Sequence, residues 1–219
     1  MKLLIAGAGG HGRVVAEMAL VCGSYDEIAF IDDRYPGLVL KEGWPVIGKL
    51  EALADLTDVY AAFVAAFGDA SLRLGLLERA NELGYDCPPI IHPGATVSSH
   101  AALDRGCVVV AGAIVNIGAT LGVGCIVNTS ATVDHDCKLA DGVHVCPGAH
   151  LAGAVEIGRR TWFGIGAVAK EGVRLGEDVV VGAGAVVVAN VAGNSLVVGN
   201  PAKSCEGGAV AADRDGHQP

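Results

Sequence analysis

Residues 113–133 read AIVNIG-ATLGVG-CIVNTS-ATV, and the third residue of each block is a large aliphatic: Val115, Leu121, Val127 and Val133. The same step of six reaches back to Val97 and forward to Val187. Fifteen of the sixteen residues it touches are Val, Leu, Ile or Phe, with Ala169 the exception. Two places earlier in every block, from Ala95 to Ala185, stands a small or β-branched residue. Residues two apart share one face of a strand, so both columns are expected to point inward. The place after the aliphatic is often Gly, Asn or Asp, as in Asn116, Gly122, Asn128 and Asp134. These types tolerate left-handed or turn geometry, and the chain is expected to turn a corner there once per hexad. Residues 106–133 carry no charge and exceed the length of a membrane span. A span, however, would not reserve every sixth place for a turn former, and an α-helix needs apolar returns at three and four. A fixed period of six sustained over sixteen blocks is a parallel β-solenoid, in which each coil buries its core only against its neighbours.

Composition agrees. The 219 residues are 52% hydrophobic, which excludes disorder, and the 32 glycines fit a fold made of many tight turns. A formal charge of -9 argues against a nucleic-acid polymer as partner, because neutralising phosphates requires a basic face. Seven cysteines without CxxC spacing suggest reduced thiols and no structural metal. The opening MKLLIAGAGGHG lacks the apolar length and cleavage site of a signal peptide, so a cytoplasmic location is expected.

Ahead of the repeat, LLIAGAGGHGRVVAEMA reads as strand, glycine turn and helix, and EIAFIDD as a second strand ending in acids. VYAAFVAAFGD gives a third strand, with Asp69 placed to cap the helix of SLRLGLLERANELG. This is a small Rossmann-like α/β domain, and ligands bind at the strand C-termini, where Gly9, Gly10, His11, Asp32, Asp33 and Gly68 fall. Gly7, Gly9 and Gly12 match GxGxxG with Asp32 twenty residues beyond. The chain has room for only half of a dinucleotide fold and nothing downstream suggests hydride transfer. A nucleotide-diphosphate sugar therefore fits better than NAD, its phosphates at the helix N-terminus and its ribose or base near the acids. A bare strand-to-helix turn with no ligand is the plain alternative. The expected organisation is an α/β domain over 1–90, a β-helix over 91–203 and a tail over 204–219.

The [LIV]-G-x4 pattern, as in Ile157-Gly158 and Leu175-Gly176, resembles the left-handed β-helix acyltransferases. The segment from Asn128 to Cys137, NTSATVDHDC, is similar to the N-T-S-x-x-x-x-H-E-C stretch of the nucleotide-aminosugar N-acetyltransferases of bacillosamine and perosamine type and of the related sialic-acid O-acetyltransferases. GNPAK at 199–203 matches that family's ending. The resemblance implies three hexads per triangular coil, hence a little over five coils. It implies capping of one end by the α/β domain and of the other by the run to Lys203, and a homotrimer. It also implies an acetyl-CoA-dependent acetyltransferase acting on a nucleotide-linked 4-amino-4,6-dideoxysugar in glycan biosynthesis.

By the same resemblance His135 is the general base and Asp136, where the family has Glu, raises its basicity. Gly153, one coil after His135, offers a backbone N–H for the oxyanion. His144, Ile165 and Ala183 correspond to coenzyme A contacts, and Asn128 lies with the substrate. His135 and His144 fall on different faces of one prism, so a site using both spans two subunits. Three readings compete. A zinc enzyme of the γ-carbonic anhydrase type shares the solenoid but needs an HxxxxH spacing that is absent. A non-catalytic nucleotide-sugar-binding or scaffold protein, which acetyl-CoA turnover would separate from an enzyme, and a sialic-acid O-acetyltransferase of the same fold remain open.

Overall fold

The computed structural model describes residues 1–205, so the C-terminal tail expected over 204–219 lies outside the described residues from 206 onward. The chain opens with strand β1 (Lys2–Ala6), helix α1 (Gly10–Val21) and strand β2 (Glu27–Ile31). A hairpin of β3 (Leu40–Lys41) and β4 (Trp44–Gly48), strand β5 (Ala62–Ala65) and helix α2 (Ala70–Glu82) follow. The sheet order is β3-β4-β2-β1-β5, parallel except for the β3–β4 pair. Asp69 caps α2 as its sequence position predicts, accepting from Leu72 N at 2.7 Å.

From Ile90 the chain winds into a parallel β-helix of three faces built from two-residue rungs. The first face carries rungs from Thr96–Val97 to Val186–Val187. The second runs from Ala102–Leu103 to Arg174–Leu175, and the third from Ile90–Ile91 to Leu196–Val198. Rungs pair at an offset of 18, as in Ile114 with Thr132 and Ile126 with His144. The last coil is two residues shorter, since Val180 pairs with Leu196. Both inward columns of the sequence pattern form one continuous core, from Cys107 and Val109 to Ala185 and Val187. Thr161, the polar residue in the small column, donates to Gly176 O and accepts from Val179 N, which satisfies its hydroxyl inside that core. An antiparallel strand, Lys203–Ser204, folds onto Val197–Val198 and ends the third face.

Two expectations are corrected. Left-handed backbone falls three residues after the aliphatic, not one, at Gly106, Gly112, Gly118, Gly124, Ser130 and Asp136 and on with the same period. The glycines directly after the aliphatic answer to crowding instead. A Cβ on Gly158 would stand 2.4 Å from backbone atoms of Gly176 and Glu177 in the next coil. The α/β domain, moreover, does not cap an end of the solenoid but lies along its flank. The outward side chains of the third face, Ile90, Val108 and Ile126, are buried in one cluster with Leu3, Ile5, Val15 and Met18. Leu77 of α2 seats against the corners at Gly106 and Gly124, and Leu74 against that at Gly142. A column of three apolar residues pointing out of a solenoid needs a cover, and the α/β domain provides it.

Candidate active site

The structure sorts the candidate residues into three groups. The first is a cleft of about 580 Å³ between the α/β domain and the third face. It gathers Gly9, Gly10, His11, Asp32, Asp33 and Gly68 from the strand ends with Asn128 and His144 from the coils. Asp32 is almost fully buried and does not stand free for a ribose. Arg34 grips it with Nε and Nη2, both at 2.8 Å, and Ala8 N–H donates to it at 2.8 Å. Burial alone would raise its pKa, yet these hydrogen bonds outweigh that and hold it at about 2. Asp33 accepts from Leu50 N at 3.1 Å.

The histidines of the cleft are neutral. Burial, helped by the charge of Arg73, brings His11 down to about 4 and puts His144 well below the ordinary imidazole range. Asn128 Nδ2 lies 3.0 Å from His144 Nε2, so the ring accepts there and carries its proton on Nδ1. Trp162 stands edge-on to His144 with ring centroids 4.4 Å apart. His11 Nε2 and His144 Nδ1 are buried with no hydrogen-bond partner among the described residues. Both rings line the cleft, and these two atoms are polar groups left unsatisfied just behind its surface. His144 projects from the third face and lines this cleft, whereas Ile165 and Ala183 are not among its lining residues.

The second group lies at the corner between the first and second faces. His135 projects from it, half exposed, with Nδ1 2.9 Å from Asp136 Oδ2. Asp136 holds a left-handed φ of 59°, which turns its carboxylate back beside the ring. Two glycines make room. A Cβ on Gly118 would meet the Asp136 carboxylate at 2.5 Å, and one on Gly153 would meet His135 Nε2 at 2.4 Å. The imidazole thus lies directly over Gly153, whose N–H donates to no group among the described residues. The hydrogen bond to Asp136 raises the pKa of His135, slight burial opposes it, and the charges of Asp134 and Asp136 add to the rise. With Nδ1 held by a carboxylate, Nε2 is the atom left to take a proton.

The third group, Ile165 and Ala183, sits one coil apart on the corner between the third and first faces, exposed and linked by Gly184 N to Ile165 O at 2.8 Å. Among the described residues no three His, Cys, Asp or Glu converge to hold a metal, and no helix is long and apolar enough to cross a membrane.

Comparison with known proteins places this arrangement. The family described as the PglD N-terminal domain matches residues 2–80. The acetyltransferase domain of PglB from Neisseria gonorrhoeae FA1090, in complex with acetyl coenzyme A, is 45% identical, with 93% of this chain and 98% of that one covered and a TM-score of 0.90. PerB from Caulobacter crescentus, in complex with CoA and GDP-perosamine, is 37% identical, with 94% and 97% covered and a TM-score of 0.89. The chain belongs to the PglD-type family of nucleotide-sugar N-acetyltransferases. GDP-perosamine N-acetyltransferase of Escherichia coli O157:H7 extends the likeness at 28% identity over 185 residues, 82% of each chain.

For this family member the sequence pattern missed three residues that shape the cleft: Arg34, Arg73 and Trp162. Arg73 left a signal. Helix α2 buries Ala70, Arg73, Leu74, Leu77 and Ala80 at helical spacing, so a cation stands on its apolar stripe. Trp162 left a fainter one, being the outward residue of the third-face rung next after His144.

Proposed function

We propose that this chain transfers the acetyl group of acetyl-CoA to the amino group of a nucleotide-linked 4-amino-4,6-dideoxysugar for glycan biosynthesis. The observation that carries the reading is the half-exposed imidazole of His135, held at Nδ1 by Asp136 and laid with Nε2 over Gly153. His135 Nε2 takes a proton from the sugar amine as its nitrogen bonds to the thioester carbonyl carbon. Gly153 N–H faces the oxyanion of the tetrahedral adduct, and the same proton then goes from His135 to the departing thiolate. His11, Asn128 and His144 hold the polar end of the sugar nucleotide, with the glycine turn at Gly9 and Gly10 accepting its phosphates at the start of α1. Ile165 and Ala183 form the edge along which coenzyme A lies.

The working unit is a homotrimer. Ile114, Ile117, Ile165 and Val188 are exposed on the first face and its two corners, an apolar band that a neighbouring chain would cover. A cytoplasmic location fits the free cysteines, of which five are buried with no disulfide. The deciding experiment measures thiol release from acetyl-CoA with a panel of UDP-, GDP- and dTDP-linked 4-amino-4,6-dideoxysugars, with free sialic acid as a separate arm. Turnover with at least one nucleotide-linked amine is expected. Release only with sialic acid, or none at all, refutes the assignment.

A further inference from the structure

Arg73 is the largest fully buried side chain among the described residues, where it is in no ion pair, although the charge of Asp69 acts on it from farther off. Its guanidinium is satisfied by backbone carbonyls from two parts of the fold. Nε donates to Gly124 O and Nη2 to Gly142 O, both at 2.8 Å, at corners of two successive coils. Nη1 donates to Phe67 O at 2.6 Å and Gly68 O at 3.0 Å, at the end of β5. Those carbonyls belong to the cleft. Phe67 and Gly68 line it, and the Phe67 ring packs against the Gly7 turn on one side while Gly68 faces Trp162 on the other. Gly124 lies four residues before Asn128 and Gly142 two before His144. One planar group therefore ties a wall contributed by the α/β domain to the two coils that present the cleft's polar side chains.

We infer that Arg73 is a positioning residue for the sugar nucleotide, setting the Phe67–Gly68 wall in register with Asn128 and His144. The inference rests on the cleft being the sugar-nucleotide site. A purely structural staple would not need this geometry: Leu74 and Leu77 already seat α2 on the same corners. The guanidinium adds direction, because a rigid fork fixes four acceptors relative to one another where apolar contacts leave them free to slide. Its charge also acts on the cleft. Burial brings Arg73 down only to about 10, so it stays a cation at neutral pH and helps keep His11 and His144 unprotonated. Unprotonated, each ring keeps one acceptor nitrogen, which an imidazolium lacks, and in His144 that nitrogen is the one that receives Asn128.

The test is Arg73→Lys, which keeps the charge but brings one ammonium where four carbonyls are held. In the full-length enzyme, KM for the sugar nucleotide should rise about tenfold or more, as for displaced binding groups, while KM for acetyl-CoA stays within about twofold. Mere destabilisation would lower kcat through loss of active enzyme and leave both KM values alone, and that result overturns the inference. A folded variant with an unchanged sugar-nucleotide KM overturns it equally. If Arg73→Lys does not fold, the wild type answers through its Arg73 Nε–H resonance, which should shift on saturation with sugar nucleotide and not with coenzyme A. A resonance unmoved by a sugar nucleotide that calorimetry shows to be bound overturns the role of Arg73 alone. A wild type that binds no sugar nucleotide overturns this role together with the reading of the cleft.

Discussion

Replacing Gly153 by alanine tests the placement of the base without touching the base. Gly153 has no left-handed φ, so alanine meets no backbone strain there. Its new Cβ would stand 2.4 Å from His135 Nε2 and 2.5 Å from Cε1, whereas ordinary contact begins at 3.4 Å. The imidazole must withdraw by the difference, about 1 Å. Because the obstructing atoms end a flexible, half-exposed side chain, the fold should lose little and the melting temperature should change by only a few degrees. A misplacement of about 1 Å in a catalytic group costs on the order of 10²-fold in rate. Steady-state thiol release by Gly153→Ala should therefore fall by about that factor at saturating substrates. The backbone N–H remains, so the substitution separates the two roles meeting at this residue. If Gly153 served only as an oxyanion donor, alanine would be nearly neutral. Near wild-type kcat would refute the argument that His135 Nε2 over Gly153 is the reacting geometry.

The dyad makes a pH prediction whose sign is fixed by its geometry. The hydrogen bond to Asp136 raises the His135 pKa, so Asp136→Asn should lower it and move the acidic limb of the pH–rate profile to lower pH; a limb that stays put assigns that limb to another group. The assembly makes a further prediction, that light scattering gives about three times the 22.1 kDa chain mass. Mixed and reassembled trimers of His135→Ala with Gly68→Trp, which fills the cleft, should recover about a quarter of the sites if base and cleft come from different chains of a closed ring. No recovery would place both in one chain.

The solenoid was legible because a six-residue period leaves a mark at every hexad, and two inward columns can be read without knowing how the coils stack. The dyad was legible through its motif, though not its setting: nothing in NTSATVDHDC says that Gly118 and Gly153 make room for it one coil away on either side. Such relations live at a spacing of 18, which the sequence reading followed from His135 to Gly153 but not from Asp136 back to Gly118 or along the outward apolar positions. The same blindness misplaced the α/β domain. Ile90, Val108 and Ile126 recur every eighteen residues as outward apolar side chains, which is what a docked domain requires of a flank. The left-handed positions went astray because glycine serves two purposes in each coil. Glycine after the aliphatic gives the next coil room, while at the true corner Asp136, Arg160 and Asp178 adopt positive φ without it. Arg34 was missed for a different reason. An acid at the end of β2 looks free in a sequence, and only the fold shows the arginine two residues on returning to claim it.

The positions of the two half-sites within one chain bear on why such an enzyme would trimerise. Asn128, at the mouth of the cleft, lies just past a third-face rung, and His135 lies just past the first-face rung that follows. The first face separates them, and seven residues at about 3.3 Å each allow a separation of up to about 23 Å. Proton transfer tolerates a hydrogen bond or one water and no more, so in the proposed trimer a sugar amine near Asn128 of one chain would be served by His135 of another. The corner bearing Asn128 is also the corner bearing Ile165 and Ala183, one place on and two and three coils later. Setting that corner against the His135 corner of a second chain brings cleft, coenzyme edge and dyad together and covers the exposed Ile117 and Ile165 in the same step. Repeating the operation around a threefold axis uses each corner once, which closes the ring and leaves no unmatched edge. In the proposed trimer the apolar band and a divided site would be two consequences of one arrangement, and a variant that disrupts the band should lose turnover with its assembly.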